Sequence, residues 1–142
     1  MNKWDERYLR LAAHVSTWSK DPSTVVGAVI VRDNAIISLG FNGFPKGVAD
    51  TPERLWDRET KLGMIVHAEM NALIHAKQGL HGATMYTWPM MSCSHCATAM
   101  IQAGITRHVA PKCAPEEYPK WGKSHEITRK MFAEVGIQLV EI

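Results

Sequence analysis

Two short stretches of the chain hold the residues best suited to chemistry: "VHAEMNALIHA" at Val66–Ala76 and "SCSHC" at Ser92–Cys96. In the first, His67 and Glu69 open a segment whose other large residues, Val66, Met70, Leu73 and Ile74, are apolar and interspersed with alanines. Such a helix belongs in a core, which leaves its polar residues to be explained. In the second, Cys93 and Cys96 stand three apart, so at the start of a helix both sulfurs project from one side. Thiols held that way bind a soft or borderline cation, and a first-turn position favours thiolate over thiol. Ser92 is placed to cap that helix.

A lone C-x-x-C also fits a redox pair. A closed structural zinc site, in turn, needs four ligands, and only Cys113, set among prolines, remains. His67 is a third donor at the head of the preceding helix. Three protein ligands with no clear fourth make the arrangement of a catalytic zinc, whose open corner takes water. Two thiolates and a neutral imidazole offset the charge of the ion. Glu69, two places from His67, does not share its helix face and is badly placed as a second ligand. It is well placed to take a proton from the activated water and pass it to a ring nitrogen or a leaving amine.

The elements that must position these residues follow from periodicity. Trp4, Tyr8, Leu11, Val15 and Trp18 recur at steps of four and three, predicting a helix over Trp4–Ser19 that the "KDPST" segment stops. Val25–Arg32 and Ala35–Leu39, joined by Asp33-Asn34, read as a β-hairpin. About two dozen residues rich in glycine, proline and charge follow, a functional or partly helical loop. Further helices are expected over Val66–Gln78, closed by Gly79, over Cys93–Ala103, closed by Gly104, and around Ile127, Met131 and Val135, ended by Gly136. Strands are expected at Ala83–Trp88, Arg107–Ala110 and Ile137–Val140, with "PKCAPEEYPKWGKS" as a second long loop. Strands separated by helices imply a mixed, about five-stranded sheet in a three-layer α/β/α domain.

The chain has 142 residues, 46% hydrophobic and 21% charged, which fits one globular domain spanning 1–142. The apolar run "VVGAVIV" is too short to cross a membrane, and the charged start "MNKWDERYLR" lacks the apolar core of a secretory signal, so a cytoplasmic protein is expected. Three cysteines argue against a disulfide framework. A net charge of +2 admits an anionic small substrate but is a weak footprint for nucleic acid.

The pairing of His67-Ala68-Glu69 with Cys93-Ser94-His95-Cys96 fits the H-x-E and C-x-x-C signature of zinc nucleobase deaminases, with Ser92 where a proline is usual. The chain resembles the deoxycytidylate (dCMP) deaminases of the cytidine deaminase superfamily over nearly its whole length, through "SKDPSTVVGAVIV", "GFNGFPKGV", "HAEMNAL" and "CSHCATAMIQAGI". The resemblance implies a cytidine-deaminase-like fold with one zinc on His67, Cys93 and Cys96, and Glu69 as proton shuttle. It also implies hydrolysis of dCMP to dUMP and ammonia, feeding thymidylate synthesis, with Asn42 helping to hold the sugar. By itself Asn42-Gly43 is an ordinary turn dipeptide, and Asn71 reads as structural. For the substrate phosphate the chain offers Ser23, Lys20, Lys46, Lys112, Lys120 and Lys123, and Tyr118 or Trp121 could stack on the base or close the pocket. His14, His75, His81, His95, His108 and His125 have no motif role. Family likeness further implies a homo-oligomer, often a hexamer, and a dCTP or dTTP effector carried with Mg2+. Deaminases of dCTP, cytidine or tRNA, and a binding module merely stapled by zinc, are the competing readings.

Overall fold

The computed structural model describes residues 2–142. Helix α1 (Lys3–Ser16) starts at Asn2, whose side chain accepts from the amides of Trp4 and Asp5 while the Asp5 carboxylate accepts from the Asn2 amide, a reciprocal cap. It ends three residues before the predicted Ser19, and Trp4 and Trp18 lie largely exposed; the inward face is Tyr8, Leu9, Ala12 and Val15. Strands β1 (Gly27–Arg32) and β2 (Ala35–Phe41) form the expected hairpin. Its two-residue turn puts Asp33 and Asn34 at φ of 52° and 59°, the left-handed pair that matches strand twist.

The first predicted loop contains two short helices, α2 (Pro52–Trp56) and α3 (Arg58–Met64). Thr51 caps α2, with Pro52 at its first position, and extended Asp57 separates the two. A functional or partly helical loop was expected here, and these two helices are its helical part, each too short for its bounds to be drawn from the sequence. Helix α4 (Ala68–His75) is shorter than Val66–Gln78: the left-handed residue is Lys77, at φ 57°, two places before Gly79. Strand β3 (Thr84–Trp88), helix α5 (Ser94–Ala103), closed by left-handed Gly104, and strand β4 (Arg107–Ala110) follow as expected. After a 3₁₀ turn at Pro115–Glu117, α6 (Tyr118–Val135) begins well inside the second predicted loop, and β5 (Gln138–Glu141) ends the fold.

The sheet order is β2-β1-β3-β4-β5, antiparallel on the hairpin side and parallel from β3 to β5. This is the mixed five-stranded α/β/α sandwich that the order of strands and helices implied. Along β1, Val29 and Val31 face α1 with Tyr8, Leu9 and Ala12, while Ala28 and Ile30 face the opposite core of Ala68, Ala72, Ala97, Met100 and Phe132 from α4, α5 and α6. Two glycines set the spacing. A side chain at Gly27 would strike the Ala12 carbonyl oxygen at 2.0 Å, and one at Gly40 would strike that of Ala68 at 2.3 Å. The second contact lets the first turn of α4 lie directly on β2, which fixes the height of His67 and Glu69 above the sheet.

Candidate active site

His67 and Cys93 are the N-cap residues of α4 and α5, so both donors sit where two helices present unpaired amides. Cys93 replaces Ser92 as N-cap, one place later than the sequence implied. The free Ser94 amide is satisfied from outside the helix, by the Ser124 hydroxyl of α6 at 2.8 Å. His67 Nδ1 lies 3.5 Å from Cys93 Sγ and 3.4 Å from Cys96 Sγ, and the three donor atoms all fall within 4.8 Å of one another. With metal bonds of about 2.3 Å to sulfur and about 2.0 Å to nitrogen, two tetrahedral ligands stand about 3.5 Å apart. The donor set therefore fits zinc in both chemistry and spacing. Among the described residues no other cluster of three such donors occurs.

Electrostatics agree with a cation between these groups. The Cys96 thiol donates to Cys93 and keeps its proton, which pulls the Cys93 thiol down and pushes Cys96 up; His67 is raised chiefly by its bond to Cys93. Backbone amides of Cys96 and Met70 each favour a thiolate. Glu69 is buried, and desolvation followed by the Cys93 charge raises its pKa, with the nearby Ser92 hydroxyl opposing. A carboxyl group so placed holds a proton more readily than a free glutamate does.

The loop carrying the cysteines is held from behind. The fully buried His108 donates from Nδ1 to the Met85 carbonyl at 2.8 Å and accepts the Ser92 amide on Nε2 at 3.1 Å, which fixes its tautomer. The Thr128 hydroxyl donates to the Ser92 carbonyl at 3.1 Å. Helix α6 thus clamps the metal loop at two points, and its inward face is polar for that reason.

His67, Glu69 and Cys93 line a cavity of about 310 Å³. Asp21, Ser23, Thr24 and Asn42 line the same cavity, together with Arg58 and Lys61 from α3. Asp21 and Lys61 form a buried ion pair at 2.9 Å. Burial pushes the Asp21 carboxyl up, but the Lys61 ammonium and the amides of Ser23 and Thr24 pull harder, so it stays ionised. Asn42 spends its side chain on the same group: its amide donates to the Thr24 carbonyl and to Asp21, and its oxygen accepts from Val26. One lone pair on that oxygen remains for a ligand.

Of the residues named from sequence, the cavity takes in Ser23, Asn42, Lys120 and Trp121 beside His67, Cys93 and Glu69. Tyr118 lies outside it, exposed, its hydroxyl donating to Glu126 at 2.8 Å; Lys112 lies outside as well, its amide bonded to Ile142 at the end of β5. Lys20 pairs with Asp50 at 3.0 Å. Asn71 donates to the Phe41 carbonyl, a structural contact. Sequence reasoning missed Arg58, Lys61 and His125. The first two stood in a presumed loop, although Arg58, Lys61, Leu62 and Ile65 already carry a helical spacing. His125 stood alone, with no motif around it.

The region described as the cytidine and deoxycytidylate deaminase zinc-binding region matches residues 2–111. The chain belongs to the cytidine and deoxycytidylate deaminase family. Among curated relatives, an uncharacterized deaminase in the luxG 3' region of Aliivibrio fischeri is 38% identical over 98% of this chain and 93% of its own length. A probable deoxycytidylate deaminase of Caenorhabditis elegans is 45% identical over 74% of this chain, which spans 55% of that protein. A dCMP deaminase of cyanophage S-TIM5, solved in complex with dCMP and dUMP, superposes with a TM-score of 0.75 at 19% identity, covering 100% of this chain and 99% of that one. At that identity the superposition establishes the deaminase fold. Family membership supports zinc at the donor triad, and no helix among the described residues is long and apolar enough to cross a membrane.

Proposed function

We propose that this chain is a single zinc-dependent deaminase domain that hydrolyses dCMP to dUMP and ammonia. The observation carrying this reading is one cavity lined by His67 and Cys93 of the metal-competent His67, Cys93 and Cys96 triad, by buried Glu69, and by the cationic Arg58, Lys61 and Lys120. The metal donors and Glu69 suit an aminopyrimidine ring and the cations suit a phosphate. Lys61 is neutralised by Asp21, which leaves Arg58 and Lys120, with the Ser23 hydroxyl, as phosphate donors. The remaining lone pair of Asn42 suits a sugar hydroxyl, and Trp121 supplies an aromatic surface for the ring. Tyr118 and Lys112 would reach the ligand only after α6 or the β4–α6 segment moved.

Zinc, when bound, supplies a water molecule acidic enough to act as nucleophile at neutral pH. Glu69 takes a proton from that water and delivers it to ring nitrogen N3 as oxygen adds to C4. The second proton passes by way of the same carboxylate to the exocyclic nitrogen, the C4–N4 bond breaks, and ammonia leaves with the uracil carbonyl formed. The Ser92 hydroxyl, beside Glu69, steadies its ionised form between transfers.

Ammonia release from dCMP by the purified protein, with its zinc content, tests the reading. Parallel assays with dCTP, CMP, deoxycytidine and a tRNA anticodon stem-loop separate it from its competitors. Turnover of dCMP with a folded, zinc-loaded and inactive Glu69→Gln variant is expected; absence of ammonia from dCMP overturns it. A role in supplying thymidylate synthesis, a cytoplasmic location and a homo-oligomeric, hexameric assembly belong to the same proposal. Exposed Trp56, at 74%, and Ile74, at 58%, support the assembly, which light scattering measures. Regulation by dCTP or dTTP with Mg2+ rests on family likeness and is tested by their effect on the dCMP saturation curve.

A further inference from the structure

His125 is 1% exposed and lines the cavity; the Met91 backbone beside the ring is the one hydrogen-bonding group near enough to favour its charged form, and neither ring nitrogen makes a well-formed hydrogen bond. That is costly for a buried imidazole, and burial of such groups without partners is rare. The position is not slack. The Ser124 bond to Ser94 and the Thr128 bond to Ser92 pin α6 on either side of it, so the ring cannot swing out to find a partner. One turn earlier the buried Trp121 indole N–H is also unpaired. The two side chains stand four apart on one face of α6, which carries them into the site together.

We infer that His125 is a specificity-determining residue that recognises the exocyclic amine of the substrate ring. This deepens the deaminase reading and rests on it. Met91 and Cys93 lie near His125 and line the cavity with it, and Cys93 is one of the metal donors. A ring whose reacting carbon sits at the metal carries its amine on that same carbon, so the amine is the polar substituent nearest these residues. A primary amine needs an acceptor for its N–H. A neutral imidazole offers one acceptor nitrogen and one donor, whereas the Trp121 indole offers only a donor and suits a carbonyl or phosphate oxygen instead. Product, with a carbonyl in place of the amine, meets the acceptor nitrogen with a lone pair and is released.

The test uses the full-length, zinc-loaded protein carrying Glu69→Gln, which binds without turnover, and compares Kd for dCMP and dUMP with and without His125→Phe. The preference for dCMP should fall about tenfold on loss of the nitrogens, the size of one hydrogen bond to a buried partner. In the otherwise native enzyme, His125→Phe should lower kcat/KM for dCMP by a similar factor. His125→Gln, which keeps a donor and an acceptor, should restore most of it. Melting temperature supplies the readout that a purely structural histidine would fail. Because His125→Phe removes unpaired buried nitrogens, its Tm should equal or exceed that of the parent, whereas a fall of several degrees would show that the ring is bonded within the chain and would overturn the inference. An unchanged dCMP-to-dUMP ratio in His125→Phe overturns it as well, with the deaminase reading intact. Failure of the parent to bind or turn over dCMP overturns the deaminase reading and this inference together.

Discussion

Two buried polar clusters lie on opposite faces of the same sheet, and they treat hydrogen bonding in opposite ways. Under α1, Asp5 is 1% exposed and fully used: it accepts from the Tyr86 hydroxyl at 2.7 Å, from both terminal nitrogens of Arg107 at 2.7 and 2.6 Å, and from the Asn2 amide at 3.4 Å. The Arg107 guanidinium holds the Asp5 carboxyl down at about 2, and burial beside that carboxylate pushes the Tyr86 phenol up. On the other face, the buried side-chain polar atoms without a well-formed hydrogen bond among the described residues belong to Trp121, His125 and Ser92, the last of which has its hydroxyl beside the Glu69 carboxyl. A polar group that serves the fold finds its partner within the fold. One that serves a ligand is held rigid and left open.

Substitutions on the two faces should therefore fail differently. The largest effect is expected at Glu69: Glu69→Gln should lower kcat for dCMP about 10²- to 10⁴-fold, the usual contribution of a positioned acid/base group. Its Tm should hold or rise, because the variant no longer buries a charge whose desolvation already works against ionisation. Removing zinc with a chelator should abolish the same activity, with recovery on adding the metal back. On the α1 face, Arg107→Ala strands Asp5 as an unpaired buried carboxylate and should cost about 3–5 kcal/mol in urea unfolding, leaving turnover per folded molecule unchanged. Activity loss in Arg107→Ala beyond its unfolded fraction would erase the contrast between the faces.

The same contrast explains what could be read from the sequence. The metal donors and Glu69 were legible because metal chemistry constrains residue type and spacing at once, and the hairpin, β3, β4 and α5 because apolar runs between turn or glycine stops mark them. Helix α6 was legible only from Ile127 onward. Its first two turns, "YPKWGKSHE", carry Trp121, Ser124 and His125 inward, toward the metal loop and the cavity, so the face that should announce a helix is polar. The bounds of α2 and α3 were missed because both are short, and α3 also turns Arg58 and Lys61 to the cavity. Periodicity reports a core, and these elements face a site. The cap on α5 was misplaced by one residue because its partner, Ser124, is thirty residues away in sequence.

His108 stands between the two faces and joins the satisfied class, although what it supports is the metal loop. Burial lowers its pKa to about 4, with the bond to the Met85 carbonyl opposing. The sign follows from the unfolded chain, where a histidine titrates near 6.5 and takes up the proton first. Its contribution is complete above about pH 6.5, declines as pH falls through the interval, and is exhausted near the folded value of about 4. Over that window the loss amounts to about 3 kcal/mol. Urea unfolding at pH 7 and at pH 4.5 measures it, and His108→Gln should flatten the dependence. Asp5 contributes nothing there, since it loses stability only between the normal carboxylate range and about 2. A pH dependence as steep in His108→Gln as in the parent would reassign the acid sensitivity to another group.

The smallest effects separate the cations that face the ligand from those that face water. Lys20 lies near Ser23 in sequence, which made it a natural phosphate donor, yet its ammonium reaches Asp50 instead, with 69% of its side chain exposed. An exposed pair of this kind contributes between about 0 and 1 kcal/mol and is screened by salt. Lys20→Ala should accordingly shift stability by less than about 0.5 kcal/mol and leave KM for dCMP unchanged. Arg58→Ala and Lys120→Ala, from the cavity wall, should raise KM severalfold with kcat little altered, since a phosphate contact is made equally in ground and transition states. Increased salt should narrow that difference, because both cations are partly solvated. Should Lys20→Ala raise KM as much as the other two, the anion would have to bind outside the cavity mouth, near the α2 flank. The division between ligand-facing and water-facing charge drawn from the Asp50 contact would then be wrong.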